Sequence, residues 1–505
     1  MKNIVKSISL LMICYCITGN VFAQDDIDAI RYSQTNIAAT ARSLSMGGAF
    51  GALGADFSTL STNPAGIGLY KRSEFTFTPA LENRITSTDY LGKNSQDNKY
   101  NFNLGNLGFV WAFPKKNEKS PWKGFAFGLG YNRLNSFQSR SVYEGVNTKN
   151  SLLDSYVEEA MGQNPNSLYD NYPFSSGLAY EAYGIDIYSN DTTDYFSVIP
   201  DAGELQRRTK QTSGSAGEVV LSFGGNFSDK IYWGATIGFP YVRYNEDVIY
   251  EERDVNNTIQ FDTNQVGAPY ANAYNFESLT MSQTLATTGN GVNAKFGLIF
   301  RPVSFLRLGI AIHTPAFYSM HDEFKSSMTT HFENGSSYSF DSPFGTYDYN
   351  LTTPFKAIGS AAFVYQQFGV LSFDYEFVDY TSAKLDANDY SFIDENAVIR
   401  SAYSQQHNLR GGIEWKYGIF SVRGGAGLST GVLKSSVSSK STDQHKTMYS
   451  GGLGIREEKY FVDLGYAYTQ SNEFYRPYSL PNENVDGAFS KIKDHRFLLT
   501  IGFRF

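Results

Sequence analysis

Cysteine is almost absent from this chain, whose 505 residues contain only Cys14 and Cys16. A framework of several disulfides is therefore excluded, and so is a zinc site built on several thiolates. After the N-terminal region there is no apolar run long enough for a membrane-spanning helix. We find no nucleophile elbow and no His/Cys cluster with metal-ligand spacing. The sequence therefore predicts no catalytic residues, no cofactor and no metal site.

The first 23 residues have the pattern of a secretory signal peptide. A basic start is followed by an apolar run from Ile8 to Ile17 and a small-residue cleavage site that ends at Ala23. No small residue directly precedes Cys16, which disfavours a lipoprotein. Cleavage would remove both cysteines and two lysines from a chain whose formal net charge is −8. The remaining acidity is spread along the sequence, so a nucleic-acid partner is not predicted.

Aromatic residues and glycine are abundant, with 36 Tyr, 39 Phe and 46 Gly, although the mean hydropathy is only −0.33. These averages are typical of strands with one face in lipid and one in water, and a soluble β-sandwich or propeller can share them. The C-terminal segment is more specific, because Phe497, Leu499, Ile501 and Phe503 alternate with smaller or charged residues up to Phe505. An aromatic edge strand at the end of a chain favours a barrel that closes on its first strand.

Charged residues recur on the second face of the alternating segments. Charges are costly in lipid, so this face is predicted to line a wet or plugged lumen. The predicted lumen-facing charges are Arg307, Asp374, Glu376, Arg410, Glu414, Arg423 and Asp463.

Connection lengths separate a barrel from the soluble alternatives. Very short turns between strands are predicted near 228–230, 301–304, 366–367, 416–418 and 456–459. Long polar connections are predicted near 138–214, 252–274, 334–350, 387–402, 432–443 and 474–489. Short turns at one end and long loops at the other are typical of outer-membrane barrels. The predicted fold class is therefore all-β, a transmembrane antiparallel β-barrel of about 14 strands formed by residues 71–505, with an even number of strands.

A helix is predicted inside the longest connection, 138–214. Ser151 is a suitable N-cap, and apolar residues follow at helical spacing. One interpretation is an ordinary surface loop. The functional interpretation is an apolar ligand-capture face formed by Leu152, Leu153, Tyr156 and Val157.

Residues 24–70 are rich in Ala and Gly and do not alternate. Within them, Met46-Gly47-Gly48-Ala49 is followed by Asp56 and then by Asn63-Pro64-Ala65-Gly66. In this pattern the chain resembles the FadL/TodX-type family of outer-membrane transport proteins. The resemblance implies a fourteen-stranded barrel whose residues 24–70 fold into the lumen as a hatch. It also implies passive uptake of small hydrophobic molecules, such as long-chain fatty acids or aromatic hydrocarbons, across the bacterial outer membrane.

The partners expected from this interpretation are outer-membrane lipid and lipopolysaccharide, the barrel-assembly machinery and an apolar ligand. The terminal Phe505 resembles the signal by which that machinery recognises a barrel for insertion. The Asn63 side chain is expected to hydrogen-bond inward barrel groups and so hold the hatch. Haem contacts by His313, His321 and His331 are disfavoured, because isolated histidines are ordinary lumen or surface residues. The remaining alternative is a structural, secretion-system or adhesion barrel without small-molecule flux.

Overall fold

The computed structural model describes residues 26–115, 120–188, 191–199, 203–255, 275–366, 368–434 and 444–505. The predicted signal peptide lies outside these residues. Among the described residues, no helix has the length and apolar character needed to cross a membrane.

Fourteen antiparallel strands form a closed barrel. Three of them are interrupted and consist of two pieces each. The strands are β1 Glu74–Tyr90, β2 Lys93–Pro114, β3 Trp122–Ser136 with Ser139–Val146, β4 Leu205–Phe227, β5 Ile231–Arg253, β6 Phe276–Val303, β7 Leu306–His313 with Phe317–Phe332, β8 Gly345–Thr352 with Lys356–Tyr365, β9 Gly369–Asp379, β10 Gln405–Tyr417, β11 Phe420–Ser429, β12 Lys446–Arg456, β13 Tyr460–Tyr475 and β14 Ala488–Arg504.

The barrel closes between its first and last strands, where Glu74 pairs with Arg504 and Asp89 pairs with Phe489. Each other strand pairs with its neighbours in chain order. Pairing of the first and last strands removes the free edge that the aromatic C-terminal strand would otherwise present. The predicted all-β antiparallel barrel of 14 strands is therefore confirmed.

Strand alternation gives the barrel an apolar outer surface. In β7, Leu308, Ile310 and Ile312 are 43%, 59% and 57% exposed, whereas the intervening Ala311 is 2% exposed. Successive side chains of a strand point to opposite faces, so the alternation in the sequence becomes an outer and an inner surface. Pro315 and Pro354 lie where β7 and β8 are interrupted, because proline donates no ladder hydrogen bond.

Turns at the end of the barrel that holds Phe505 are short. They join β4 to β5, β6 to β7, β8 to β9, β10 to β11 and β12 to β13. Ser228 and Asp229 have φ of 58° and 54°, the left-handed conformation that tight hairpins use. At the opposite end most connections are long, the exception being the two-residue turn between β1 and β2. We call this end the mouth.

The N-terminal segment, residues 26–70, contains helices α1 Asp26–Ser33, α2 Ala41–Ser45 and α3 Thr59–Thr62 and a 3₁₀ helix at Pro64–Leu69. Of its residues, Ala41, Leu44, Met46 and Leu60 are fully buried. Ala41 and Leu44 contact Ala467 and Leu498, which are inward residues of the strands. The segment therefore packs inside the barrel, against the inner face of its wall.

The connection predicted at 138–214 is shorter in the structure, because Ser139–Val146 and the start of β4 are strands. The described residues between 147 and 199 instead form a folded unit that we call the cap. It contains α4 Leu152–Ala160, α5 Pro165–Asn171, α6 Ser176–Glu181 and a small sheet of Ile185–Tyr188 with Asp191–Ser197. A further helix, α7 Ile393–Ala402, lies between β9 and β10 and contacts α1.

Candidate functional site

Polar side chains of the wall bind the backbone of the N-terminal segment from several directions. Arg307 in β7 donates to the Leu53 carbonyl at 2.7 Å, and Thr500 in β14 accepts from the Ala41 N–H at 2.7 Å. Further contacts are Asn106 with Ala39, Asn132 with Ser61, Thr236 with Leu60 and His313 with Thr62. Because these strands lie around the barrel, the segment is held on several sides.

A buried ion network joins α2 to the wall. Both carboxylate oxygens of Glu414 accept from Arg42, at 2.8 and 2.9 Å. Arg423 donates to Glu414 at 2.6 Å and to Asp463 at 2.7 Å, and Arg456 donates to Asp463 at 2.6 Å. The Glu414, Arg423 and Asp463 side chains are fully buried. Charges at these depths require partners, and Arg42 is the member that the N-terminal segment supplies.

The other charges predicted to face the lumen also point inward. One Asp374 oxygen accepts from the N–H groups of Phe50 and Gly51, both at 2.9 Å. Glu376 forms an ion pair with Arg410 at 3.2 Å. The structure thus brings Arg307, Asp374, Glu414, Arg423 and Asp463 into contact with the N-terminal segment or its ion network, while Glu376 and Arg410 lie at a cavity.

Asn63 differs from its predicted role. Its amide donates to the Gly51 carbonyl at 2.6 Å, and its oxygen accepts from the Ala65 N–H at 3.1 Å. These bonds lie within the N-terminal segment. The prediction that Asn63 bonds to inward groups of the barrel is therefore wrong. The cause is local, because Asn63 caps the 3₁₀ helix that Pro64 begins.

Gly47 and Gly48, predicted as hatch residues, have φ of 67° and 75°, which only glycine adopts readily. Strand glycines also allow the segment to approach the wall. A Cβ at Gly234 would lie 2.2 Å from the Pro64 carbonyl oxygen, and one at Gly412 would lie 2.2 Å from the Met46 carbonyl oxygen. At these two positions a larger residue would displace backbone.

A cavity of about 90 Å³ lies inside the barrel, between residues 32–38 of the N-terminal segment and its Ser61–Thr62 turn. Part of its lining is apolar and includes Ile37, Leu134, Ala316 and Ile358. The other part carries charges from the wall: Glu218, Lys295, Lys356, Glu376 and Arg410. The cavity is therefore amphipathic.

Two of the three cavity cations are neutralised by wall carboxylates. Lys295 pairs with Glu218 at 2.5 Å and Arg410 pairs with Glu376. The Lys356 ammonium instead donates to the Thr35 hydroxyl. Among the described residues, Lys356 has no ion pair with a carboxylate. Lys356 was not identified from the sequence. Alternation along a strand shows which residues face inward but not which of them line a cavity.

The predicted capture residues form part of a packed core. The predicted helix is present as α4, capped by Ser151. Leu152 and Leu153 are 8% and 0% exposed, and Tyr156 and Val157 pack against the same cluster, which includes Leu279 and Met328 of the wall. Leu152 and Leu153 are thus buried in this core, whereas Tyr156 and Val157 are partly exposed, and a capture role for these residues stays a prediction.

The wall is interrupted between β2 and β3. Their ladder runs from Pro114–Gly124 to Asn106–Asn132 and ends there, although β2 continues to Lys93. Beyond that point β3 bulges near Asn135 and pairs only with β4 within the described ladders. Side chains bridge the interruption, as in the Arg140–Asp97 ion pair at 3.1 Å.

Two of the three histidines considered as haem contacts are bonded to groups of the protein. His313 bonds to the Thr62 carbonyl, and His321 pairs with Asp348. Within the described residues, no three His, Cys, Asp or Glu side chains are grouped so as to hold a metal.

No protein-family model matches the sequence, and no curated protein matches it. Solved structures do match. The Pseudomonas putida toluene transporter TodX aligns over 94% of this chain and 100% of its own, with a TM-score of 0.51 and 12% identity. A Pseudomonas aeruginosa FadL homologue aligns over 93% and 98%, with a TM-score of 0.52 and 14% identity. The resemblance to FadL/TodX-type proteins is thus confirmed in the fold.

Proposed function

We propose that this protein is a passive channel of the bacterial outer membrane that takes up small molecules with a hydrophobic part. The observation that carries the proposal is the amphipathic cavity inside the barrel beside the N-terminal segment. The fold shared with a toluene transporter and a FadL homologue supports it. In this proposal residues 26–70 are a hatch whose displacement opens the route. The flux follows the concentration gradient.

The cavity favours cargo that has an apolar body and a carboxylate end. Its apolar lining would remove hydrocarbon from water, at about 25 cal/mol per Å². Lys356 would pair with the carboxylate, since its ammonium donates to the Thr35 hydroxyl and the nearby Glu376 and Glu218 are bonded to Arg410 and Lys295. The hatch could respond to this exchange of partners, because Thr35 belongs to the N-terminal segment.

Uptake by the full chain in lipid vesicles tests the cavity. Ala316→Phe, which fills the lining, should reduce the flux of a long-chain fatty acid and of an alkylbenzene at least tenfold. Ala361→Phe is the matched control, because Ala361 alternates with the buried Ala362 and faces outward. Wild-type flux in Ala316→Phe would contradict the cavity route.

Lys356→Gln tests the cargo's charged end. Glutamine can still donate to Thr35 but is neutral. Affinity for the fatty acid should fall about 10- to 100-fold, as expected for loss of roughly 1.5–3 kcal/mol from a hydrogen bond to a charged group. Alkylbenzene flux should not change, and Lys325→Gln, at an exposed lysine, should leave both unchanged. Equal losses for both cargoes in Lys356→Gln would contradict a carboxylate site.

The alternative is a structural, secretion or adhesion barrel. It predicts that no variant of the cavity alters small-molecule flux. The amphipathic cavity inside the barrel favours transport, because an adhesin or scaffold has no need for one.

A further inference from the structure

Two carboxyl groups are buried together at the mouth of the barrel, beneath the cap. Glu204 and Glu252 are both fully buried. The Gln206 amide nitrogen donates to one oxygen of each, at 2.9 Å in both cases. The Tyr478 hydroxyl lies 2.9 Å from the same nitrogen. We call Glu204, Gln206, Glu252 and Tyr478 the carboxyl cluster.

Glu252 is the direct anchor of the cap. Its oxygens accept from the Ser151 hydroxyl at 2.5 Å and from the Leu152 N–H at 2.9 Å, at the start of α4. The Tyr250 hydroxyl donates to it at 2.9 Å. The first turn of α4 is thus attached to β5 through one carboxyl group.

The carboxyl cluster joins the paired strands β4 and β5, in which Gln206 lies opposite Glu252, to more distant parts of the mouth. Glu204 directly precedes β4, Gln206 lies at its start, Glu252 lies at the end of β5, and Tyr478 belongs to the connection between β13 and β14. Tyr90, at the end of β1, donates to Gln206 at 2.6 Å. These hydrogen bonds therefore attach the cap to the mouth, alongside the apolar core that the cap shares with the wall.

No described cation forms an ion pair with either carboxyl group. The charged groups around the cluster are Asp154 on α4, Glu483 and Asp486 on the β13–β14 connection, Lys149 of the cap and Arg208 of β4. Lys149 is paired with Asp486, and Arg208 lies over the Tyr475 ring. The facing phenols, Tyr90, Tyr143, Tyr250 and Tyr478, are neutral. Two buried carboxylates without a cation repel one another, so the arrangement favours one shared proton.

We propose that Glu204 and Glu252 form a proton switch that holds the cap closed while they share a proton and releases it when both are ionised. The geometry carries this inference, and it does not depend on the nature of the cargo. Burial, together with the neighbouring Glu252, raises the pKa of Glu204 to about 8. The switch therefore operates near neutral pH.

The direction follows from proton linkage. The closed cap retains a proton that an opened, solvated pair releases, since a free glutamic acid has a pKa of about 4.3. Closure is therefore fully favoured below that value. Between about pH 5 and pH 8, release of one proton increases the opening equilibrium by up to about tenfold per pH unit. Above the folded-state pKa of about 8, opening no longer changes with pH.

Amide hydrogen exchange of residues 147–199 in the full chain tests the switch. After correction for intrinsic exchange rates, cap opening should increase about 10- to 100-fold between pH 6 and pH 8.5. Glu252→Gln mimics the protonated state, because its amide can donate to the Ser151 hydroxyl. This variant should keep the cap closed at both pH values. Glu277→Gln is the matched control, an exposed position on the adjacent β6, and should respond like the wild type.

Heat-dependent gel mobility will verify that each variant forms a closed barrel. If Glu252→Gln does not assemble, Glu204→Gln provides the second test and should likewise weaken the pH response. Corrected exchange that is independent of pH in the wild type would overturn the proposal. A wild-type pH response in an assembled Glu252→Gln or Glu204→Gln variant would overturn it as well.

Discussion

At the scale of single residues, Arg42 has the largest predicted effect on the N-terminal segment. It supplies two hydrogen bonds to the buried Glu414. Removing one partner of a buried ion pair costs about 3–5 kcal/mol, and the lower end applies because Glu414 keeps Arg423 and Lys416. In Arg42→Ala, hydrogen exchange of residues 41–66 should accelerate about 100-fold while the barrel assembles normally.

The control for this prediction is Arg72→Ala. Arg72 and Glu458 also form an ion pair, but their side chains are 47% and 74% exposed. An exposed pair contributes at most about 1 kcal/mol, so exchange in residues 41–66 should be unchanged. Equal effects of the two substitutions would argue against a specific role of Arg42.

Single residues also define what the sequence could predict. Arg307, Glu414 and Asp463 were assigned to the lumen because alternation along a strand is a local property. Their partners are distant in the chain, and the sequence contained no signal for them. Asn63 illustrates this, since its motif predicts a rigid turn but not which carbonyl its amide binds. Lys356, Glu204 and Glu252 were missed for the same reason.

At the scale of elements, close contact between the N-terminal segment and the strands depends on glycine residues, which have no side chain. Gly234→Ala would place a Cβ 2.2 Å from the Pro64 carbonyl oxygen, and the adjoining 3₁₀ helix would have to shift. We expect a loss of about 1–3 kcal/mol from overpacking. It should be detected as faster exchange of residues 59–69 and as altered flux.

Gly359→Ala is the matched control on another strand, because no atom lies within 4 Å of the position of its Cβ. It should exchange and conduct like the wild type. If Gly234→Ala behaved identically to this control, close packing of Pro64 on β5 would not restrain the N-terminal segment.

Elements were predicted unevenly for a physical reason. The short turns and the helix beginning after Ser151 follow from neighbouring residues and were located closely. Only one helix of the cap was predicted, because the core of the cap combines α4–α6 with residues of β5, β6, β7 and the β13–β14 connection, which are distant in the sequence. The interruption between β2 and β3 depends on pairing partners and has no local signature.

At the scale of the whole molecule, the outer surface argues for insertion in a membrane. Aromatic and aliphatic side chains are exposed all round the barrel, whereas charges such as Glu414, Arg423 and Asp463 are buried on its inner side. In water such a surface would drive aggregation, while in lipid it is the stable arrangement. The sequence predicted this level best, because a two-residue period repeated over fourteen strands is a strong signal.

The last prediction concerns this orientation. Cleavage after Ala23 would leave a chain without cysteine, so single cysteines can report on each face. In lipid vesicles, a lipid-soluble maleimide should label Ile310→Cys, whose native side chain is 59% exposed. It should not label Ala311→Cys, because the adjacent side chain points into the lumen and is 2% exposed. The mature protein should also fractionate with outer membranes and show heat-dependent gel mobility. Reversed labelling would exchange the two faces, and recovery of the folded chain from the soluble periplasm would contradict a membrane barrel.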